Sequence, residues 1–160
     1  MKILVLYYSK GGNTRSLAEA IGEGAGQVEG VEVVLRHTRD VNKDDFVSAQ
    51  GLIIGSPVYF GTMAAQLKQV LDDFVGVRRK MENKVGAAFT TSGDPTGGKE
   101  TTMLSIIQAM LIYGMIIVGD PLSATGHYGT ACVGAPDGAA QENGRKLGQR
   151  VAELVKQLNS

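Results

Sequence analysis

Residues 2–8 read KILVLYY, an apolar run that stops at Ser9-Lys10-Gly11-Gly12. A run of that length with turn residues behind it predicts a buried strand. Asn13 or Thr14 is placed to cap the helix that follows, which carries Leu17, Ala18, Ile21 and Ala25 on one stripe. Val31 to Leu35, Gly51 to Ser56, Val85 to Thr91 and Met115 to Val118 repeat the strand signal. Between them, apolar positions 63, 64, 67, 70, 71 and 74 predict an amphipathic helix from Met63 to Val75. Leu104, Ile107, Met110 and Leu111 predict another from Glu100 to Tyr113, and Leu147, Val151, Leu154, Val155 and Leu158 a closing helix from Gly144 to Leu158. Residues 40–49 form one weaker crossing. Apolar strands alternating with amphipathic helices imply an α/β fold, a parallel sheet covered on both faces. With no linker, repeat or low-complexity tract, residues 1–160 read as one domain. Residues 119–143 form a long Gly-rich connection, a length usually tied to function in a compact domain.

Composition narrows the function classes. Lys plus Arg and Asp plus Glu each number 16, and neither half of the chain is biased: 10 basic and 9 acidic groups up to residue 80, 6 and 7 beyond it. This balance gives no electrostatic basis for nucleic-acid binding and argues against a strongly acidic shuttle that docks by charge. The single cysteine, Cys132, excludes an internal disulfide. No stretch approaches the ~18 apolar residues of a membrane span, and the N-terminal run is too short for a signal peptide. A cytoplasmic protein is the expectation. The 22 glycines are out of proportion to the 4 prolines, and point to backbone approaching ligands or to tight strand-to-helix turns.

Ligands of open parallel sheets sit beyond the carboxyl ends of the strands. After the first strand, Ser9-Lys10-Gly11-Gly12-Asn13-Thr14 combines hydroxyls, glycines and a helix start, a setting suited to a phosphate. An ordinary strand-to-helix turn would use the same residue types. After the third strand, Pro57-Val58-Tyr59-Phe60-Gly61 offers two aromatics for a flat ring, or else side chains that plug the core. After the fourth, Thr91-Ser92-Gly93-Asp94-Pro95-Thr96-Gly97-Gly98-Lys99-Glu100 approaches the nucleotide P-loop pattern. Glu100 stands where that loop needs Ser or Thr for Mg²⁺, which rejects an NTPase. His37 and His127 are too isolated for a metal site, and no Gly-x-Ser-x-Gly elbow occurs.

In their order and spacing these loops resemble those of the flavodoxin-like FMN-binding proteins. Within that group the chain is most similar to the WrbA-like NAD(P)H:quinone oxidoreductases. The strings that carry the likeness are Tyr7-Tyr8-Ser9, Pro57-x-x-Phe60-Gly61-x-Met63, Gln66-x-x-x-x-Leu71-Asp72, Thr91-Ser92-Gly93-x-x-x-Gly97-Gly98-x-Glu100, Gly114-Met115-Ile116-Ile117-Val118 and Tyr128-Gly129. The resemblance implies a doubly wound five-stranded sheet in the order 2-1-3-4-5. It implies that Ser9, Lys10, Gly11, Gly12, Asn13 and Thr14 hold the FMN phosphate. Pro57, Val58, Tyr59, Phe60 and Gly61 would run along the flavin ring. Thr91, Ser92, Gly93, Asp94, Thr96, Gly97 and Gly98 would line its other edge. Tyr113 occupies a place where such relatives often carry a flavin-adjacent His. The chain departs from these relatives between Phe74 and Lys84, where theirs is longer and carries an aromatic.

Two functions follow from the resemblance. One is an oxidoreductase that takes electrons from NAD(P)H through FMN to a quinone or similar acceptor. The other is a flavodoxin that carries single electrons between redox proteins. The absence of aromatics from Thr91 to Gly98 and the neutral charge balance favour the enzyme, with the flavin and no catalytic side chain as the redox group. By the same resemblance the chain is expected to form a dimer or tetramer.

Overall fold

The computed structural model describes residues 1–159. A parallel sheet of β1 (Lys2–Tyr7), β2 (Glu32–His37), β3 (Gly51–Pro57), β4 (Val85–Ser92) and β5 (Ile116–Ile117) runs in the order β2-β1-β3-β4-β5. The order matches the expectation, and alternation along the strands divides the core. Leu4, Leu6, Leu52 and Ile54 pack toward α2 (Lys43–Ser48), α3 (Ala65–Asp73) and α4 (Lys99–Ile112). Ile3, Val5, Ile53 and Phe89 pack toward α1 (Asn13–Gly26) and α5 (Gly138–Leu158). No described helix is long and apolar enough to cross a membrane.

Four differences from the sequence reading have local causes. α1 is capped by the backbone of Gly12 at φ 97°, and Asn13 and Thr14 already lie in its first turn. The expected Met63–Val75 helix is shorter, Ala65–Asp73, and is followed by a 3₁₀ segment, Val75–Met81. The fifth strand is only two residues long, because the chain leaves the sheet after Val118 and returns as β6 (Gly129–Val133). β5 pairs with Val85 and Gly86, and β6 with Ala88 to Ser92, so the two together cover the outer edge of β4. α5 starts six residues early, at a cap where the Asp137 side chain accepts from Ala140 N–H.

The excursion between β5 and β6 is organised by one carboxylate. Buried Asp120 accepts from the N–H groups of Thr125, Gly126 and His127 and from the Thr125 hydroxyl. Arg150 holds the carbonyls of Gly119 and Asp120. Part of the glycine surplus serves packing. A Cβ on Gly24 would lie 2.0 Å from the Arg145 carbonyl oxygen, and one on Gly148 2.0 Å from that of Ile21. α1 and α5 therefore approach backbone to backbone, which only hydrogen side chains permit.

Candidate functional site

The carboxyl ends of β1, β3 and β4 bring three loops to one sheet edge. Ser9 to Thr14 leaves β1 with its hydrogen-bond donors open. The Ser9 hydroxyl accepts from Gly12 N–H at 3.1 Å, and Gly12 O accepts the first helical bond, from Ser16 N–H. The N–H groups of Gly11, Asn13, Thr14 and Arg15 have no acceptor among the described residues. A Cβ on Gly11 or Gly12 would meet nothing within 4 Å, so the ground above the loop is clear. Converging free N–H groups at a helix N-terminus are the donor set for a phosphate dianion, which needs little side-chain charge. These residues fit the phosphate of FMN.

The loop is tied to β4 by buried hydroxyls: Thr14 Oγ1 and Thr91 Oγ1 lie 2.8 Å apart. Val58 N–H donates to the Thr91 carbonyl at 2.8 Å, joining the second and third loops. The second loop is a tight turn. Tyr59 and Thr62 exchange both backbone bonds, and Phe60 (φ 52°) and Gly61 (φ 75°) between them are left-handed, the pattern of a type I′ turn. Below it, the Ser56 hydroxyl accepts from Ala64 N–H and donates to Pro57 O, while Thr90 Oγ1 donates to Ser56 O. Ser105 Oγ holds Met63 N–H. Neither aromatic plugs the core. Phe60 is fully exposed, and Tyr59 stands partly exposed with its ring edge-on to Tyr8 at 6.2 Å. Burial, with Tyr8 beside it, raises the Tyr59 hydroxyl above its usual range.

The third loop folds on itself. Asp94 Oδ1 accepts from both the N–H and the hydroxyl of Thr96, and these bonds, helped by Lys99, hold its carboxyl below the ordinary range. The Ser92 hydroxyl and Gly97 N–H both bond to the Asp94 carbonyl. Lys99 reaches back to Pro95 O at 2.8 Å, unlike a lysine that faces a nucleotide phosphate. Gly98, at φ 97°, rests against the second loop: a Cβ there would come within 2.9 Å of Gly61 Cα. Cys132, the lone thiol, pairs beside Thr91 in the sheet and is pushed up to about 11 by burial.

One residue is corrected. Tyr113 follows the last turn of α4, a 14-residue helix whose other end starts at Gly98, so roughly 21 Å separates it from the loop cluster. Its hydroxyl donates to Leu71 O at 2.6 Å and its ring packs near Phe46, and burial raises its pKa to about 12. Within this chain Tyr113 is a core residue. His37 is a neighbour of the site that the sequence pattern does not single out. It ends β2 at the same edge and contacts Ser9 through Nε2, with Tyr7 and Tyr8 rings 5.5 Å away. The signal was its position one strand over from the phosphate loop.

A family model described as NADPH-dependent FMN reductase matches residues 1–130. A protein named flavodoxin from Aquifex aeolicus (strain VF5) is 36% identical over 160 residues, covering 96% of this chain and 86% of its own. An NAD(P)H dehydrogenase (quinone) from Archaeoglobus fulgidus is 33% identical over 189 residues, covering 98% of each. The crystal structure of a flavodoxin, WrbA-like protein from Agrobacterium tumefaciens superposes with a TM-score of 0.84 at 25% identity, covering 98% of both chains.

Proposed function

Because the chain belongs to the NADPH-dependent FMN reductase family, we propose that it is an FMN-dependent oxidoreductase that passes electrons from NAD(P)H to a quinone or a similar small acceptor. The observation that carries this reading is the loop cluster itself: an anion cradle of free N–H groups beside a rigid turn that presents Tyr59 and Phe60. Ser9 to Thr14 would hold the FMN phosphate, Pro57 to Gly61 one side of the ring, and Thr91 to Gly98 its other edge. FMN, when bound, supplies the hydride chemistry. The chain's part is to bind and orient. Ser56, Thr90 and Ser105 fix the turn, and the Asp94–Thr96 bonds fix the opposite loop without placing an aromatic over the ring. An uncovered ring face leaves room for a nicotinamide or quinone, whereas a one-electron carrier gains from shielding it.

A homo-oligomer is part of this reading. Between α3 and α4 lies an apolar groove of about 730 Å³ that includes Phe60, Met63, Ala109 and Ile112. Phe60 and Ile112 are both exposed, and a second copy would cover them. The reading is tested by loading the protein with FMN and following NADH and NADPH oxidation with a soluble quinone present. Sustained turnover without an added reductase protein is expected. No reaction with either nicotinamide would transfer the assignment to the one-electron carrier, the alternative in keeping with the name flavodoxin borne by the Aquifex relative.

A further inference from the structure

The phosphate loop has a second flank. On the side away from β3 and β4, a recess of about 490 Å³ opens between α1 and the end of β2. Ser9 and Gly12 form its inner wall, and Lys10, Arg15, His37, Arg39 and Asp40 surround it. In a chain with no net charge, this places three cations around one carboxylate. Arg15 shares its charge with Glu19 at 2.8 Å, whereas Lys10 has no ion-pair partner among the described residues.

Arg39 is aimed by His37. The N–H and Nε of Arg39 both donate to His37 Nδ1, at 3.2 and 3.1 Å. His37 Nε2 lies 3.4 Å from the Ser9 nitrogen and 3.3 Å from the Ser9 carbonyl oxygen, which ties the ring to the first loop. Nε of Arg39 is thus engaged, while its two terminal nitrogens have no acceptor among the described residues. That pair is the fork that grips a phosphate through two parallel bonds. The volume falls within the range of small-ligand sites. In the dinucleotide-binding class of doubly wound sheets, which differs from this one in strand order, an acidic residue takes a free 2′-hydroxyl of the adenosine ribose and an arginine a 2′-phosphate; Arg39 and Asp40 offer the same two chemistries here.

We propose that this recess receives the 2′-phosphate of NADPH, with Arg39 the side chain that separates NADPH from NADH and Lys10 adding charge at the rim. The inference rests on the NAD(P)H reading above and names which dinucleotide that site prefers. Ser9, Lys10 and Gly12 line this recess and also belong to the loop that would hold the FMN phosphate, so the test is run on the FMN-loaded protein, where a second phosphate would have to enter beside Arg39.

The test uses the FMN-loaded protein and has a binding arm and a kinetic arm. By calorimetry, 2′,5′-ADP should bind at least about tenfold more tightly than 5′-AMP, and Arg39→Ala should erase that difference while flavin absorbance stays at the wild-type level. Arg39→Lys, which keeps the charge and loses the fork, should recover part of it. In turnover, Arg39→Ala should raise KM for NADPH at least about tenfold and shift KM for NADH less than about twofold. Equal binding of the two nucleotides to the wild type, or an equal change in both KM values, would overturn the proposal. Loss of FMN from Arg39→Ala would also overturn it, by assigning the residue to the FMN loop. If neither nicotinamide is oxidised, the enzyme reading fails on its own, and the calorimetry still decides the recess.

Discussion

Ser9 to Thr14 and Pro57 to Ala64 leave the same sheet edge, yet they treat their backbone groups in opposite ways. The first loop leaves the N–H groups of Gly11, Asn13, Thr14 and Arg15 without an acceptor among the described residues. The second binds Tyr59 to Thr62 twice, and anchors Met63 and Ala64 to the hydroxyls of Ser105 and Ser56. A loop that takes an anion must leave donors unsatisfied until the anion arrives. A loop that lies along a flat ring does better when its own bonds are complete, since a fixed wall orients a ligand without being ordered by it. Under the proposed function, openness in one place and rigidity in the other would serve one binding device.

The contrast breaks most severely at Gly12. Its φ of 97° starts α1 and places the free N–H groups; a β-branched residue held there costs about 1–3 kcal/mol of backbone strain. Gly12→Val should turn the loop and lower FMN affinity by about 100-fold or more, measured by fluorescence titration, while circular dichroism reports an intact α/β fold. In the rigid loop, Ser56→Ala strands the buried Ala64 N–H and should cost about 1–3 kcal/mol in denaturant unfolding. FMN affinity should fall less than for Gly12→Val, because ring orientation is disturbed and the phosphate contacts are not. The smallest effect is expected at Tyr113. Tyr113→Phe removes one bond to Leu71 O and should cost about 1 kcal/mol, leaving FMN affinity unchanged. Because burial raises the Tyr113 pKa from 10 to about 12, folding favours its neutral form. Its contribution is complete below about pH 10 and is lost as pH rises toward 12, and Tyr113→Phe should flatten that alkaline decline.

Much of this arrangement is legible in the sequence, for physical reasons that differ from element to element. Long apolar strands such as Ile3 to Tyr7 and Val85 to Ser92 are buried on both faces, so they announce themselves without any partner. The three loops follow from them, because each glycine and hydroxyl cluster comes directly after a strand. β6 does not announce itself. Gly129-Thr130-Ala131-Cys132-Val133 has little apolar bulk and is a strand only because β4 offers an edge that the two-residue β5 leaves open. The first turns of α5 are also quiet, Gly138 to Asn143 being small or polar, although Asp137 was a readable cap. The resemblance alone points Tyr113 toward the flavin, whereas the length of α4 puts it at the opposite end of that helix from Gly98. His37 and Arg39 form no motif in the sequence; it is their place at the end of β2, beside the first loop, that brings them to the site.

The central claim, that the free N–H groups of the first loop exist to hold a 5′-phosphate, is tested most directly by titrating the apoprotein with FMN and with riboflavin under identical conditions. The two ligands share the ring and the ribityl chain and differ only in the group this loop addresses. FMN should bind at least about 100-fold more tightly, a difference of about 2.7 kcal/mol. Equal affinities would contradict the account and reduce Ser9 to Thr14 to an ordinary turn between a strand and a helix.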